Sequence, residues 1–176
     1  MNQSLFHRIA LVALALSALL IFAGQASGTE ISGTISTTLT IYEDSELVGD
    51  VTCVVADAPC IAFGAPGIKL RLNGFTITGR ADPPARCTPT AKFPSEDGID
   101  VVGQHDVAVL GPGLVQKFAS VGIFLGSASK VRVKGITASD NCFSGILLIG
   151  ATDSDIEKNV SVRNSIGSQG FSCGGT

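Results

Sequence analysis

A short segment recurs at a nearly fixed interval, and this constrains the fold more than any other feature of the chain. Asp97-Gly98-Ile99-Asp100-Val101, Val121-Gly122-Ile123-Phe124-Leu125 and Ser144-Gly145-Ile146-Leu147-Leu148 place their glycines 24 and then 23 residues apart. A period of this size marks a stacked-repeat architecture, in which each copy buries its apolar side against its neighbours. An earlier copy, Pro59-Cys60-Ile61-Ala62-Phe63, starts 38 residues before the first. The excess is assigned to an inserted loop over 80–95, rich in proline, charge and small residues and carrying Cys87.

Within each copy apolar residues alternate with others, the period of a pleated strand. Aligned copies give an inward column of Ile61, Ile99, Ile123 and Ile146, and next to it Phe63, Val101, Leu125 and Leu148. A second strand aligns Leu70, Val107, Val131 and Ser154, then Leu72, Val109, Val133 and Ile156. A third aligns Phe75, Leu114, Ile136 and Val160. Gly74, Gly113, Gly135 and Asn159 immediately precede that last set, so a left-handed corner is expected there. Lys69, Asp106, Lys130 and Asp153 form an outward charged column. Arg132 with Asp155 and Lys134 with Glu157 extend it as a ladder that fixes register. An antiparallel sandwich would also alternate, but it supplies no reason for the same corner residue once per repeat. The expected fold class is therefore all-β, with about three short parallel strands per turn.

Ile68-Lys69-Leu70-Arg71-Leu72-Asn73-Gly74-Phe75-Thr76-Ile77-Thr78-Gly79 resembles the LDLNGxTIxG segment of secreted bacterial right-handed parallel β-helix proteins of the pectate-lyase-like type. The resemblance extends over about residues 38–176. It implies a right-handed parallel β-helix of about four coils, truncated at its carboxyl end if the chain continues elsewhere. The family holds polysaccharide lyases, hydrolases, epimerases and binding modules, so the resemblance implies a polysaccharide partner and leaves the chemistry open.

Ile9 to Ala23 is an apolar run of 15 residues, preceded by His7 and Arg8 and followed by Gly24-Gln25-Ala26. This is the layout of a signal peptide over 1–26, and the run is too short for a membrane span. The mature domain would be 27–176, secreted or periplasmic. Its 11 basic residues against 15 acidic ones leave a formal charge of −4. Such a balance argues against nucleic acid and anionic membranes as partners. All five cysteines follow the leader, where disulfides persist. The expected pairs are Cys53–Cys60 and Cys142–Cys173, with Cys87 left over. No CxxC occurs and His105 is the one histidine beyond the leader, so no metal centre is expected.

One outward face would hold Ala62, Asp100, Phe124 and Leu147, with Val102 and Ile149 beyond. Glycoside hydrolysis needs two carboxylates, and this face carries one. Asp97, Asp100 and Asp140 are the candidate catalytic acids; with Asn141 their oxygens would suit Ca²⁺. Ordinary turn polarity explains the same residues. No adjacent Asp pair and no Arg-x-x-Lys signature accompanies them. Asp100, Phe124, Leu147 and Asn141 are the candidate ligand-binding residues. Phe124, Leu147 and Ile149 would form an apolar patch, covered either by a ligand or by the 80–95 insertion. His105 reads as a loop residue. Asn159 reads as a corner residue, although it begins a glycosylation sequon. The expected function is binding of extracellular or periplasmic polysaccharide without catalysis. The alternatives are an N-terminal fragment of a lyase or hydrolase and a structural or adhesive protein. Ile146, Leu148, Ile156 and Val160 would leave an apolar edge at the carboxyl end, a surface for self-association.

Overall fold

A computed structural model describes residues 28–81 and 96–165. The expected signal peptide, most of the insertion, Cys87 and Cys173 lie outside the described residues. Among those described, the structure is all β, with thirteen strands and no helix. They are β1 (Thr29–Ile35), β2 (Leu39–Ile41), β3 (Ser45–Cys53), β4 (Ile61–Phe63), β5 (Lys69–Arg71), β6 (Thr76–Thr78) and β7 (Ile99–Val102). There follow β8 (Ala108–Gln116), β9 (Val121–Gly126), β10 (Arg132–Ser139), β11 (Ser144–Ile149), β12 (Asp155–Glu157) and β13 (Val160–Val162).

The chain passes back and forth between two sheets. In one, β2, β4, β7, β9 and β11 lie side by side. The other follows the order β1-β3-β5-β8-β10-β12, with β6 against β3 and β8 and with β13 against β10. The strand pairs are parallel. Ile61, Ile99, Ile123 and Ile146 are in register as the alternation requires, and Leu39 extends their column one strand earlier. Ile61, Ile99, Val101, Ile123 and Leu125 have no exposed surface. Fully burying each such side chain stabilises the fold by about 1.5–3 kcal/mol.

The larger sheet corrects several expectations. Leu70, not Leu72, aligns with Val109, and the column continues through Val133 to Ile156. The first copy thus shifts by two residues, which keeps the same side chains inside because the pleat repeats every two. For the same reason Lys69 aligns with Ala108 and Arg132, not with Asp106. Asp106, Lys130 and Asp153 are left-handed corner residues, with φ of 56°, 53° and 50°. The expected second and third strands of a copy fuse into one long strand in β8 and in β10, with a register irregularity between Lys134 and Ile136. In the third set Thr76 and Leu114 pair with Thr137 and Val160, so Phe75 and Ile136 belong one position earlier.

Gly74 and Gly135 do turn left-handed, at φ 89° and 71°, but Gly113 and Asn159 do not. Gly113 lies inside β8, and a Cβ there would run into the Leu72 side chain. Lys158 takes the left-handed conformation in the last copy, at φ 55°. Asn159 instead bridges strands: its Oδ1 accepts from Ile136 N at 2.9 Å and its Nδ2 donates to Val133 O at 2.9 Å.

The recurring glycines have a steric cause. A Cβ on Gly98 would lie 2.5 Å from the Gly122 carbonyl oxygen, and one on Gly122 would lie 2.6 Å from that of Gly145. Side chains stack behind this column at the same period: Phe118, Asn141 and Asn164. Phe118 N donates to Asn141 Oδ1 at 3.1 Å, and Asn141 N and Nδ2 each donate to Asn164 Oδ1 at 3.0 Å. Cys53 and Cys60 form a disulfide, with Cα atoms 5.9 Å apart. Cys142 is buried and disulfide-bonded. Its expected partner, Cys173, falls outside the described residues.

Candidate functional site

The outward face of the five-stranded sheet carries two side-chain columns. Thr40, Ala62, Asp100, Phe124 and Leu147 are in register across β2, β4, β7, β9 and β11. Two residues along, Val102, Gly126 and Ile149 form the second column. Tyr42 and Gly64 continue it, since Gly64 N donates to Ile41 O at 2.8 Å in the same parallel pattern.

Aromatic rings in both columns lie over glycines. A Cβ on Gly64 would sit 2.5 Å from Tyr42 Cε1 and 2.8 Å from Cζ. One on Gly126 would sit 3.0 Å from both Cε1 and Cζ of Phe124. The two rings end up in different environments. Phe124 is only 8% exposed, so it adds little open surface to the apolar patch expected here. Tyr42 is 69% exposed, and Val102 and Ile149 are also open to solvent. Leu147 is half-buried.

The candidate acids separate into distinct environments. Asp100 is half-buried beside Phe124, and its Oδ1 is buried with no hydrogen-bond partner among the described residues. Loss of solvent, and secondarily the charge of Asp97, push its carboxyl up to about 6. Asp97 is buried, and its Oδ1 accepts from Val121 N at 2.9 Å, which ties β7 to β9. Asp140 is held by both arms of Arg163, at 2.8 and 2.7 Å, and the hydrogen bond from that guanidinium keeps its carboxyl below the usual range. Asn141 is fully buried. Its Oδ1 receives Phe118 N, and its Nδ2 reaches Asn164 Oδ1 and the Val115 carbonyl. The structure thus leaves Asp100 facing outward while Asp97, Asp140 and Asn141 serve the scaffold. No group of three or more His, Cys, Asp or Glu side chains suited to an ion occurs among the described residues.

His105 is exposed at a corner, its Nδ1 2.8 Å from Asp106 Oδ2. The charged ladder is present in modified form. Arg132 and Lys134 align with Asp155 and Glu157, but both cations converge on Glu157, with Lys134 Nζ at 3.5 Å. These groups lie in solvent and compensate one another, so they work as register markers of small energetic weight.

Tyr42 is the residue that sequence reasoning missed. Its signal was available: Leu39-Thr40-Ile41 repeats the alternation of Ile61-Ala62-Phe63 22 residues earlier, although no Gly precedes it. No protein-family model, curated protein or solved structure matches the chain.

Proposed function

We propose that this chain is a secreted or periplasmic right-handed parallel β-helix domain that binds polysaccharide on the outward face of the sheet formed by β2, β4, β7, β9 and β11. The observation that carries the reading is the pairing of a solvent-exposed, glycine-backed Tyr42 with a lone outward carboxylate, Asp100, on one flat parallel face. A flat aromatic and apolar surface accepts the face of a sugar ring, and a carboxylate accepts hydrogen bonds from its hydroxyls. Strands about 4.8 Å apart offer repeated contacts to a polymer lying across them. The Cys53–Cys60 bond fits an oxidising compartment. The two-sheet alternation and the period near 23 residues support the β-helix assignment.

A non-catalytic role accords with the fates of Asp97 and Asp140, whose hydrogen bonds are spent within the protein. The second reading, an N-terminal piece of a lyase or hydrolase, is favoured by Asp100 alone, since a carboxyl raised to about 6 suits a general acid. A polysaccharide array probed with the chain, combined with assays for unsaturated or reducing-end products, separates the two. Retention without product, lost on combining Tyr42→Ala with Val102→Ser, is expected. Retention that survives this double change would overturn the assigned face, and product formation would favour the second reading.

A further inference from the structure

We infer that the glycan accepted by this face is an amino-sugar chain, with an ammonium group set against Asp100 and a ring stacked on Tyr42; the inference rests on the glycan-binding reading above. Among the described residues, Asp100 is the one charged side chain in the two outward columns. The flanking strands β4 and β9 bring no titratable group to it, and the neighbouring charge that acts on it, Asp97, is also negative. Among the described residues its buried Oδ1 has no donor.

Three ligand chemistries meet this face differently. A uronate would place its own carboxylate beside one that no cation meets among the described residues, and opposition of like charges penalises that complex. A neutral or N-acetylated sugar gains stacking and hydroxyl contacts only. An ammonium group supplies both a counter-charge and a donor, forming the stronger class of charge-assisted hydrogen bond. β2 and β7 are separated by β4 alone, and Tyr42 lies two residues further along than the column of Asp100, so the two positions are roughly 12 Å apart. One oligosaccharide running across the strands reaches both.

Protonation of Asp100 removes the attraction, and this gives the test its selectivity. Titration calorimetry of the chain would use oligomers of glucosamine, N-acetylglucosamine and galacturonate of equal length, at about pH 7 and about pH 5. At the higher pH the glucosamine oligomer should bind tightest, and Asp100→Asn should weaken it about tenfold but the N-acetylated oligomer, which loses only a neutral hydroxyl contact, no more than about twofold. Tyr42→Ala should weaken both. At the lower pH the glucosamine affinity should fall several-fold in the native chain although the ligand is more fully cationic; Asp100→Asn should show no such fall. Equal or tighter binding of galacturonate, or a glucosamine preference that persists in Asp100→Asn, overturns the amino-sugar assignment and leaves glycan binding standing. Failure of all three oligomers to bind, alongside an unretentive polysaccharide array, overturns both.

Discussion

Replacing Gly122 by alanine tests whether the glycine column exists because neighbouring turns press against it. Gly122 has no left-handed φ, so backbone conformation does not demand glycine. The new Cβ would sit 2.6 Å from the Gly145 carbonyl oxygen and 2.8 Å from Asn141 Nδ2. Neither neighbour yields easily, because one is backbone of an adjacent strand and the other is fully buried and hydrogen-bonded. Overpacking of this kind costs about 1–3 kcal/mol. Displacing the Asn141 amide forfeits a further ~1 kcal/mol in hydrogen bonding. The sum, about 2–4 kcal/mol, corresponds to a fall in Tm of roughly 6–12 °C for a domain of this size. Thermal melts followed by circular dichroism would measure it. Gly103→Ala is the internal control: its φ is 66° and no atom lies within 4 Å of the added Cβ, so its cost is conformational and Gly103→Asn should recover part of it. The Gly122→Ala loss should instead shrink in an Asn141→Ala background, by about 1 kcal/mol. A Gly122→Ala melt within about 2 °C of the native chain would refute the stacking account.

Ile123 is fully buried whereas Leu148, one strand on, is 42% exposed, so Ile123→Ala should cost about 2–4 kcal/mol in urea unfolding and Leu148→Ala less than half as much; equal losses would contradict the packing described. Asp100→Asn should stabilise the fold in a pH-dependent way. The folded carboxyl, at about 6, binds its proton more tightly than the unfolded one at about 3.9, so the native chain loses stability as pH rises between those values. The difference in Tm between variant and native chain should therefore grow from about pH 4 to about pH 6 and then level off; a flat difference would show that Asp100 is not desolvated. Replacing both Cys53 and Cys60 by serine should cost about 2–3 kcal/mol by loop-closure entropy, given the sequence separation of 7. Non-reduced peptide mapping checks the pairing directly.

Legibility differed between the two sheets. Gly98, Gly122 and Gly145 mark the start of three strands of the smaller sheet, so its columns could be placed in register from spacing alone. In the larger sheet Leu70 and Leu72 are equally good candidates for one apolar position. Alternation fixes which side faces inward but not which leucine meets Val109. Corners were harder still. Gly113 looks like a left-handed residue but is glycine because Leu72 occupies the space, while Lys130 and Lys158 turn left-handed with nothing in their chemistry to announce it. Asp100 was visible as a lone outward acid. The Phe124 ring reaches over Gly126, a contact along the strand that the cross-strand alignment did not weigh. Tyr42 escaped notice because it follows Leu39-Thr40-Ile41, a copy that the column alignment, begun at Cys60, did not include.

The ion pair between Arg80 and Glu96 bears on how such a scaffold diversifies. Arg80 Nε donates to Glu96 Oε2 at 3.0 Å, Ala81 N to Lys117 O at 2.9 Å, and Gly98 N to Val121 O at 2.9 Å. Arg80 and Ala81 on one side of residues 82–95, and Glu96 and Gly98 on the other, are thereby tied to each other and to neighbouring strands. Doubling a flexible connection closed at fixed ends costs only about 0.6 kcal/mol. Length between ends fixed in this way is a minor entropic term, so a peptide epitope inserted between Ala81 and Glu96 would start and finish at positions that the Arg80–Glu96 and Ala81–Lys117 contacts already hold.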